Sequence, residues 1–201
     1  MTASNEPKVG AILLAAGGSR RLGRPKQLLK FQGKTLLRIS AETLAETLCR
    51  PIIAVLGAEI ERSTSELNCL PLSICVNEKW QSGMSSSIKS GVRQILDIDA
   101  EVEAVVITLC DQPHVTSGDL ARLISAFIDL RSPIVAARYG DTSGVPALFS
   151  RAKFDDLLRL EGDKGARDLI RNDSEGVLTV LMENAAIDID TPDDIADWRA
   201  T

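Results

Sequence analysis

The segment Ala15-Ala-Gly-Gly-Ser-Arg-Arg-Leu-Gly-Arg-Pro-Lys26 gathers glycine, hydroxyl and positive charge into a short stretch. From Ala16 to Lys30 the chain carries five cations, Arg20, Arg21, Arg24, Lys26 and Lys30, and no acid, although its net charge is -5. Glycine lets the backbone take positive φ and approach a ligand closely. Successive backbone amides in such a turn point donors at phosphate oxygens, and nearby cations offset the ligand's charge. The expectation is a nucleotide-holding loop in which Ala15, Ala16, Gly17, Gly18 and Ser19 cradle the phosphates and Arg21 and Lys26 contact them as charges. A glycine turn with solvated cations is the plainer alternative.

Other polar positions border apolar runs. Asp111 stands just past the continuous apolar run 104–109. A carboxylate there can hold Mg²⁺, a hard cation that takes oxygen ligands and bridges them to phosphate. The competing reading is an aspartate that starts a turn ahead of Pro113. In Gly83-Met-Ser-Ser-Ser87, Gly83, Ser86 and Ser87 either offer uncharged donors and acceptors to a base edge or cap the following helix. Trp80 either covers a base or packs. Lys164, Gly165 and Arg167 lie between two helical patterns and are candidates for binding a second, phosphate-bearing substrate, with Asp163 as an ordinary helix cap the alternative. His114, the single histidine, reads as a surface loop residue rather than a base.

Composition narrows the class. The acidic balance argues against a general nucleic-acid binder. No run is long and apolar enough to span a bilayer, and the polar first residues show no secretory pattern, so no membrane partner is expected. The four cysteines, Cys49, Cys69, Cys75 and Cys110, form no CxxC pair and read as free, mostly buried thiols of a cytoplasmic protein. One histidine and no ligand-like cysteine spacing argue against zinc. The first loop fails the GxxxxGK[ST] template, because Arg24 and Pro25 follow Gly23 where lysine and a hydroxyl are required. It also has no GxG for a dinucleotide fingerprint.

The elements that must position these residues follow from periodicity. Strands are expected over 9–15, 51–56, 72–76, 104–109, 133–137 and 177–181. Helices are expected over 35–48, 86–96, 116–130, 149–160 and 164–171, with a last one starting at 191–194. Leu37, Ala41, Leu44 and Leu48 share one face of the first helix; Ile88, Val92, Ile95 and Leu96 share one face of the second. Thr116 and Asp119 stand at the N-cap and N3 positions of the third. Alternating strands and helices predict an α/β fold: a three-layer α/β/α sandwich around a mostly parallel, Rossmann-like sheet, formed by a single domain over 1–201. Ligands of such sheets bind beyond the carboxyl ends of the strands, which places the first loop and Asp111 on one edge.

With its strand, the first loop resembles the LAAGxSxRxGxPK signature of nucleotidyltransferase-fold enzymes, matching at Ser19, Arg21, Gly23, Pro25 and Lys26. It is most similar to the molybdenum-cofactor nucleotidyltransferases, particularly the cytidylyl branch. Further matches are Trp80-Gln-Ser-Gly-Met-Ser-Ser-Ser87, Asp111-Gln-Pro113, Gly144-Val-Pro-Ala-Leu-Phe-Ser-Arg151, Gly162-Asp-Lys-Gly-Ala-Arg167 and Asp188-Ile-Asp-Thr-Pro-Asp-Asp194. Val145 departs from relatives that carry histidine before that proline. The resemblance implies a fold of the nucleotide-diphospho-sugar transferase type. It implies an enzyme that joins an NMP from an NTP, CTP favoured, to the phosphate of molybdopterin or its metal form and releases pyrophosphate. Lys26, Arg21 and Asp111 would be catalytic. Mg²⁺ would sit on Asp111 with Asp190, for which Asp188 competes. A molybdoenzyme or its maturation factor would receive the product. Transfer from GTP, another phosphorylated acceptor, and a non-catalytic cofactor carrier are the alternatives.

Overall fold

The computed structural model describes residues 6–19, 23–173, 176–189 and 194. Seven strands form one sheet in the order β5-β4-β1-β6-β8-β7-β9. They are β1 (Val9–Ala15), β4 (Ile52–Leu56), β5 (Ser73–Val76), β6 (Ala104–Leu109), β7 (Ile134–Tyr139), β8 (Thr142–Ser150) and β9 (Val177–Leu181). A separate two-stranded ladder pairs β2 (Lys30–Phe31) with β3 (Lys34–Thr35). The helices are α1 (Leu36–Ala45), α2 (Ile60–Glu66), α3 (Met84–Ile98), α4 (Ser117–Leu130), α5 (Phe154–Arg159) and α6 (Ala166–Asn172).

The central strands are apolar throughout because both faces are covered. Ala11 and Leu13 of β1 join a cluster with Leu37, Ala41 and Leu44 of α1 and with Leu120, Leu123 and Phe127 of α4. Ile12 and Leu14 point the other way, into a cluster with Ile88, Val92 and Ile95 of α3, Leu157 of α5 and Ile170 of α6. The period-2 alternation of one strand thus feeds two cores, giving the expected three-layer sandwich. Each fully buried leucine or isoleucine contributes about 1.5–3 kcal/mol.

Local chemistry sets several boundaries. The α4 capping box forms as the spacing predicts: Asp119 N–H donates to Thr116 Oγ1 at 3.2 Å, and Thr116 N–H donates to Asp119 Oδ2 at 2.9 Å. The first helix is shorter than expected, ending at Ala45, and Leu48 is 90% exposed rather than on its buried face. The Thr47 hydroxyl donates to Leu44 O at 2.7 Å and accepts from Cys49 N–H at 3.2 Å, offering the chain a turn in place of another helical turn.

The expected helix over 149–160 is corrected at its start. Phe149 belongs to β8, paired with Val105 on one side and Ile134 on the other, and α5 begins only at Phe154. β8 is antiparallel to both neighbours, while the other sheet pairings are parallel. Its Gly144-Val-Pro146 stretch hides it from periodicity. The register with β7 shifts between Ala136 and Ala137, a bulge that accommodates a residue with no N–H in a central strand. The helix expected over 164–171 is α6, with Gly165 rather than Asp163 at its N-cap. The start of a helix at 191–194 lies outside the described residues, apart from Asp194.

Parallel pairing brings distant loops together. Leu14 is in register with Leu109, Ala15 with Leu56, and Leu56 with Val76. The chain therefore leaves β1, β4, β5 and β6 along one edge, and the loops at 16–19, 57–59, 77–83 and 110–115 converge there. β7 and β9 run parallel to each other and end on that edge, where β8 begins.

Candidate active site

A cleft of about 660 Å³ opens at this edge. Ala15, Ala16, Gly17, Gly18, Ser19, Lys26, Gly83, Ser87 and Asp111 all line it, so the structure collects most of the residues singled out from sequence. Arg21 and Asp190 lie outside the described residues. Ser86 is not among the lining residues. Its hydroxyl donates toward Lys79 O at 3.0 Å and Gly83 O at 2.8 Å and accepts from Asn77 Nδ2 at 2.8 Å. His114 also lies off the lining.

At the floor of the cleft, Lys26 Nζ donates to Asp111 Oδ2. Both side chains are largely buried, and Ser19 Oγ accepts from the Lys26 backbone N–H at 2.9 Å. Ser19 has φ of 50°, so it turns the chain as it closes this loop. The loop is thereby folded back on itself, and the lysine ammonium is delivered next to the carboxylate.

Trp80 forms one wall. A Cβ on Gly18 would stand 2.9 Å from Trp80 Cη2, and one on Gly57 would stand 2.6 Å from Trp80 Cβ and 2.8 Å from Ala16 O. Glycine at both positions lets the indole wedge between the loops after β1 and β4. The first turn of α3 opens beside it, with Gly83, Met84 and Ser87 on the lining. Asn77, which the sequence reading missed, organises that turn: its Nδ2 donates to Ser86 Oγ and to Ser87 Oγ, the latter at 3.0 Å. Its position directly after β5 was the signal available.

The Gly162–Arg167 segment packs onto the same corner. Ser85 N–H donates to Gly162 O at 3.2 Å, and a Cβ on Gly165 would stand 2.9 Å from Met84 Sδ. Asp163 lines the cleft, while Lys164, Gly165 and Arg167 are not among its lining residues. Arg167 Nη2 donates to Tyr139 Oη at 2.8 Å. Gln112, which stands within the Asp111-Gln-Pro113 match but has no role assigned from sequence, is buried and reaches Val145 O and Ala185 O with its amide nitrogen. Asp188 lines the cleft, and Ile189 N–H donates to Asp111 O at 3.0 Å.

The residues present fit a divalent cation. Asp111 Oδ1 is buried with no hydrogen-bond partner among the described residues, so one hard oxygen is left for a ligand to satisfy. Asp188 supplies a second carboxylate on the lining. Among the described residues no group of three or more His, Cys, Asp or Glu could hold a metal ion. Cys110 also lines the cleft, but burial, with the adjacent Asp111 charge, pushes its thiol up to about 12 against the opposing pull of Lys26. It therefore stays a neutral thiol rather than a nucleophilic thiolate.

A mostly parallel α/β sheet with a glycine-rich loop, a lysine and a carboxylate at its carboxyl edge defines the nucleotidyltransferase class of enzyme. The chain belongs to the MobA-like NTP transferase family, whose domain model matches residues 11–177. It is 34% identical to nicotine blue oxidoreductase of Paenarthrobacter nicotinovorans, over 82% of each chain. It is 28% identical to a "Probable molybdenum cofactor guanylyltransferase" of Bacillus cytotoxicus, over 63% of this chain and 61% of that one. The crystal structure of Rv0371c of Mycobacterium tuberculosis in complex with manganese superposes with a TM-score of 0.81 at 26% identity, covering 96% of this chain and 99% of that one. No helix among the described residues is long and apolar enough to cross a membrane.

Proposed function

We propose that this nucleotidyltransferase transfers CMP from CTP to the phosphate of molybdopterin or its molybdenum form. An acceptor phosphate oxygen bonds to the α-phosphorus of CTP. The bond from that phosphorus to the α,β-bridging oxygen breaks, and pyrophosphate leaves with the electron pair. The acceptor is already ionised at neutral pH, so the step needs charge neutralisation and in-line placement rather than a strong base. That suits a cleft whose lining contains no histidine.

The observation that carries this reading is the Lys26–Asp111 pair beneath the glycine loop. The amides of Ala15 to Ser19 hold the β- and γ-phosphates, and Lys26 stabilises charge that develops at the α-phosphate. Arg21 adds a second positive contact. Asp111, with Asp188 or Asp190, holds Mg²⁺, which when bound offsets phosphate charge. Gly83 and Ser87 face the base, and Lys164, Gly165 and Arg167 bind the acceptor. Cytidine as the base rests on the likeness of Gly162-Asp-Lys-Gly-Ala-Arg167 to the cytidylyl branch. The product passes to a molybdoenzyme or its maturation factor.

The test is pyrophosphate release with Mg²⁺ and molybdopterin, comparing CTP, GTP, ATP and UTP. Release with CTP above the other three supports the full reading. Release with GTP keeps the chemistry and reassigns the base. Silence with all four nucleotides, together with oxidoreductase activity on nicotine blue, overturns the transferase reading in favour of the activity named for the Paenarthrobacter relative.

A further inference from the structure

The loop that carries Asp111 is tied to a segment far away in sequence by side-chain amides that do not line the cleft. After β9 the chain turns through a 3-10 helix, Glu183–Ala186, and runs back to Asp188 and Ile189. It must pass the ends of β7 and β8 to reach Asp111. Met182 N–H donates to Arg138 O at 2.8 Å where it sets out, and Ile189 N–H donates to Asp111 O where it arrives. Between these points Gln112 and Asn184 supply the attachments.

Gln112 is 2% exposed, and its Nε2 spans two elements, donating to Val145 O of β8 at 3.1 Å and to Ala185 O at 2.8 Å. Ala185 is itself buried, so this donor satisfies a carbonyl in the core. Asn184 Nδ2 reaches in the opposite direction, to His114 O at 2.7 Å and Asp119 Oδ2 at 2.6 Å. Two amides thus lace one loop to one returning segment, each side contributing a side chain. Ile189 closes the lacing by packing against Leu29 and Leu36.

We propose that Gln112 and Asn184 are positioning residues that set the register of the 183–189 segment on the 111–115 loop, and thereby the spacing of the Asp111 and Asp188 carboxylates toward a divalent cation. The inference rests on the metal-dependent reading above. A carboxylate carried on a returning loop has no ladder of its own to fix it. Its distance from Asp111 is set by where the two backbones are pinned. Outer attachments of this kind govern affinity for a metal without touching it.

The experiment compares wild type, Gln112→Met and Asn184→Ala for Mn²⁺ binding by electron paramagnetic resonance and for hydrogen exchange at the Ile189 amide. The expected result is an Mn²⁺ Kd raised about 10–100-fold. Ile189 exchange is faster, while the amides of β1 and β6 keep their protection. The Mn²⁺ concentration for half-maximal pyrophosphate release rises, and KM for the NTP at saturating Mn²⁺ is unchanged. Should Gln112→Met fail to fold, the half-buried Asn184 carries the test alone. Folded variants with wild-type Mn²⁺ affinity overturn the proposal, even if Ile189 exchange is faster. A wild-type protein that binds no Mn²⁺ overturns the metal-dependent reading and this proposal with it, so the two failures are distinguishable.

Discussion

Lys26 and Asp111 are 85 positions apart and meet as an ion pair at the floor of the cleft. The meeting follows from one register: Leu14 pairs with Leu109, so the loops after β1 and β6 leave the sheet side by side. The Ser19 hydroxyl then turns the first loop back and presents Lys26 to the carboxylate. The pairing keeps both charges compensated in a largely buried place.

Breaking this pair is expected to separate chemistry from folding. Lys26→Met should lower kcat for pyrophosphate release about 10²–10³-fold, the size seen when one donor to developing charge is removed. It should also destabilise the fold, because the Asp111 side chain loses its ion-pair partner in a largely buried place. Adding Asp111→Asn should recover part of that stability but none of the activity. Urea titrations of both single variants and the double variant measure the coupling.

Gly57 and Gly17 should respond to alanine in different ways. Gly57→Ala drives a Cβ to 2.6 Å from Trp80 and is expected to cost about 1–3 kcal/mol. Among the described residues nothing beyond its chain neighbours stands within 4 Å of a Cβ on Gly17, so Gly17→Ala should leave the melting temperature unchanged. Gly17 lines the cleft, so nucleotide affinity measured by calorimetry should fall in this variant. Equal melting temperatures for the two variants would remove the argument that Trp80 wedges the loops.

Asp119 predicts an acid limb in stability. Burial alone would raise its pKa, but hydrogen bonds from Asn184, the Thr116 amide, Arg122 and the Thr116 hydroxyl outweigh burial and hold it near 2, against an ordinary 3.8. A carboxyl depressed in the folded state contributes stability that is present above its unfolded pKa. That contribution is lost as pH falls from about 4 toward about 2. Asp119→Asn should flatten this part of the pH profile, as read by denaturant midpoints at a series of pH values. A wild-type midpoint that does not fall across that window would contradict the network.

The thiols should sort by burial. Cys69 is exposed, whereas Cys49, Cys75 and Cys110 are buried, and burial raises the pKa of each of these three. An aromatic disulfide reagent at neutral pH is expected to label one thiol quickly in the native protein and all four after denaturation. Rapid native labelling of Cys110 would show that the cleft floor opens to solvent.

Much of the architecture was legible before the fold was known, and the reason is local. The strands at 9–15 and 104–109 are continuous apolar runs, the α4 cap is a three-residue spacing, and the cationic glycine loop is contiguous. Each is written in neighbouring residues. Less local features misled. Leu48 continued the helical period, yet the Thr47 hydroxyl offered the backbone a turn. Most of β8 carries no expected element because glycine and proline interrupt its period, and only its two partners make it a strand.

By itself the amino-acid sequence determined the class of fold, the cationic, glycine-rich character of the first loop and the family signature, because periodicity, caps and motifs act within a few residues. The tertiary structure decided which groups meet. It put Lys26 on Asp111, engaged the Ser86 hydroxyl in the turn of α3, set Trp80 across two glycines and brought Asp188 to the cleft by way of Gln112 and Asn184. Such contacts depend on strand register and on the return path of a loop across the sheet, and neither is encoded in the spacing of adjacent residues.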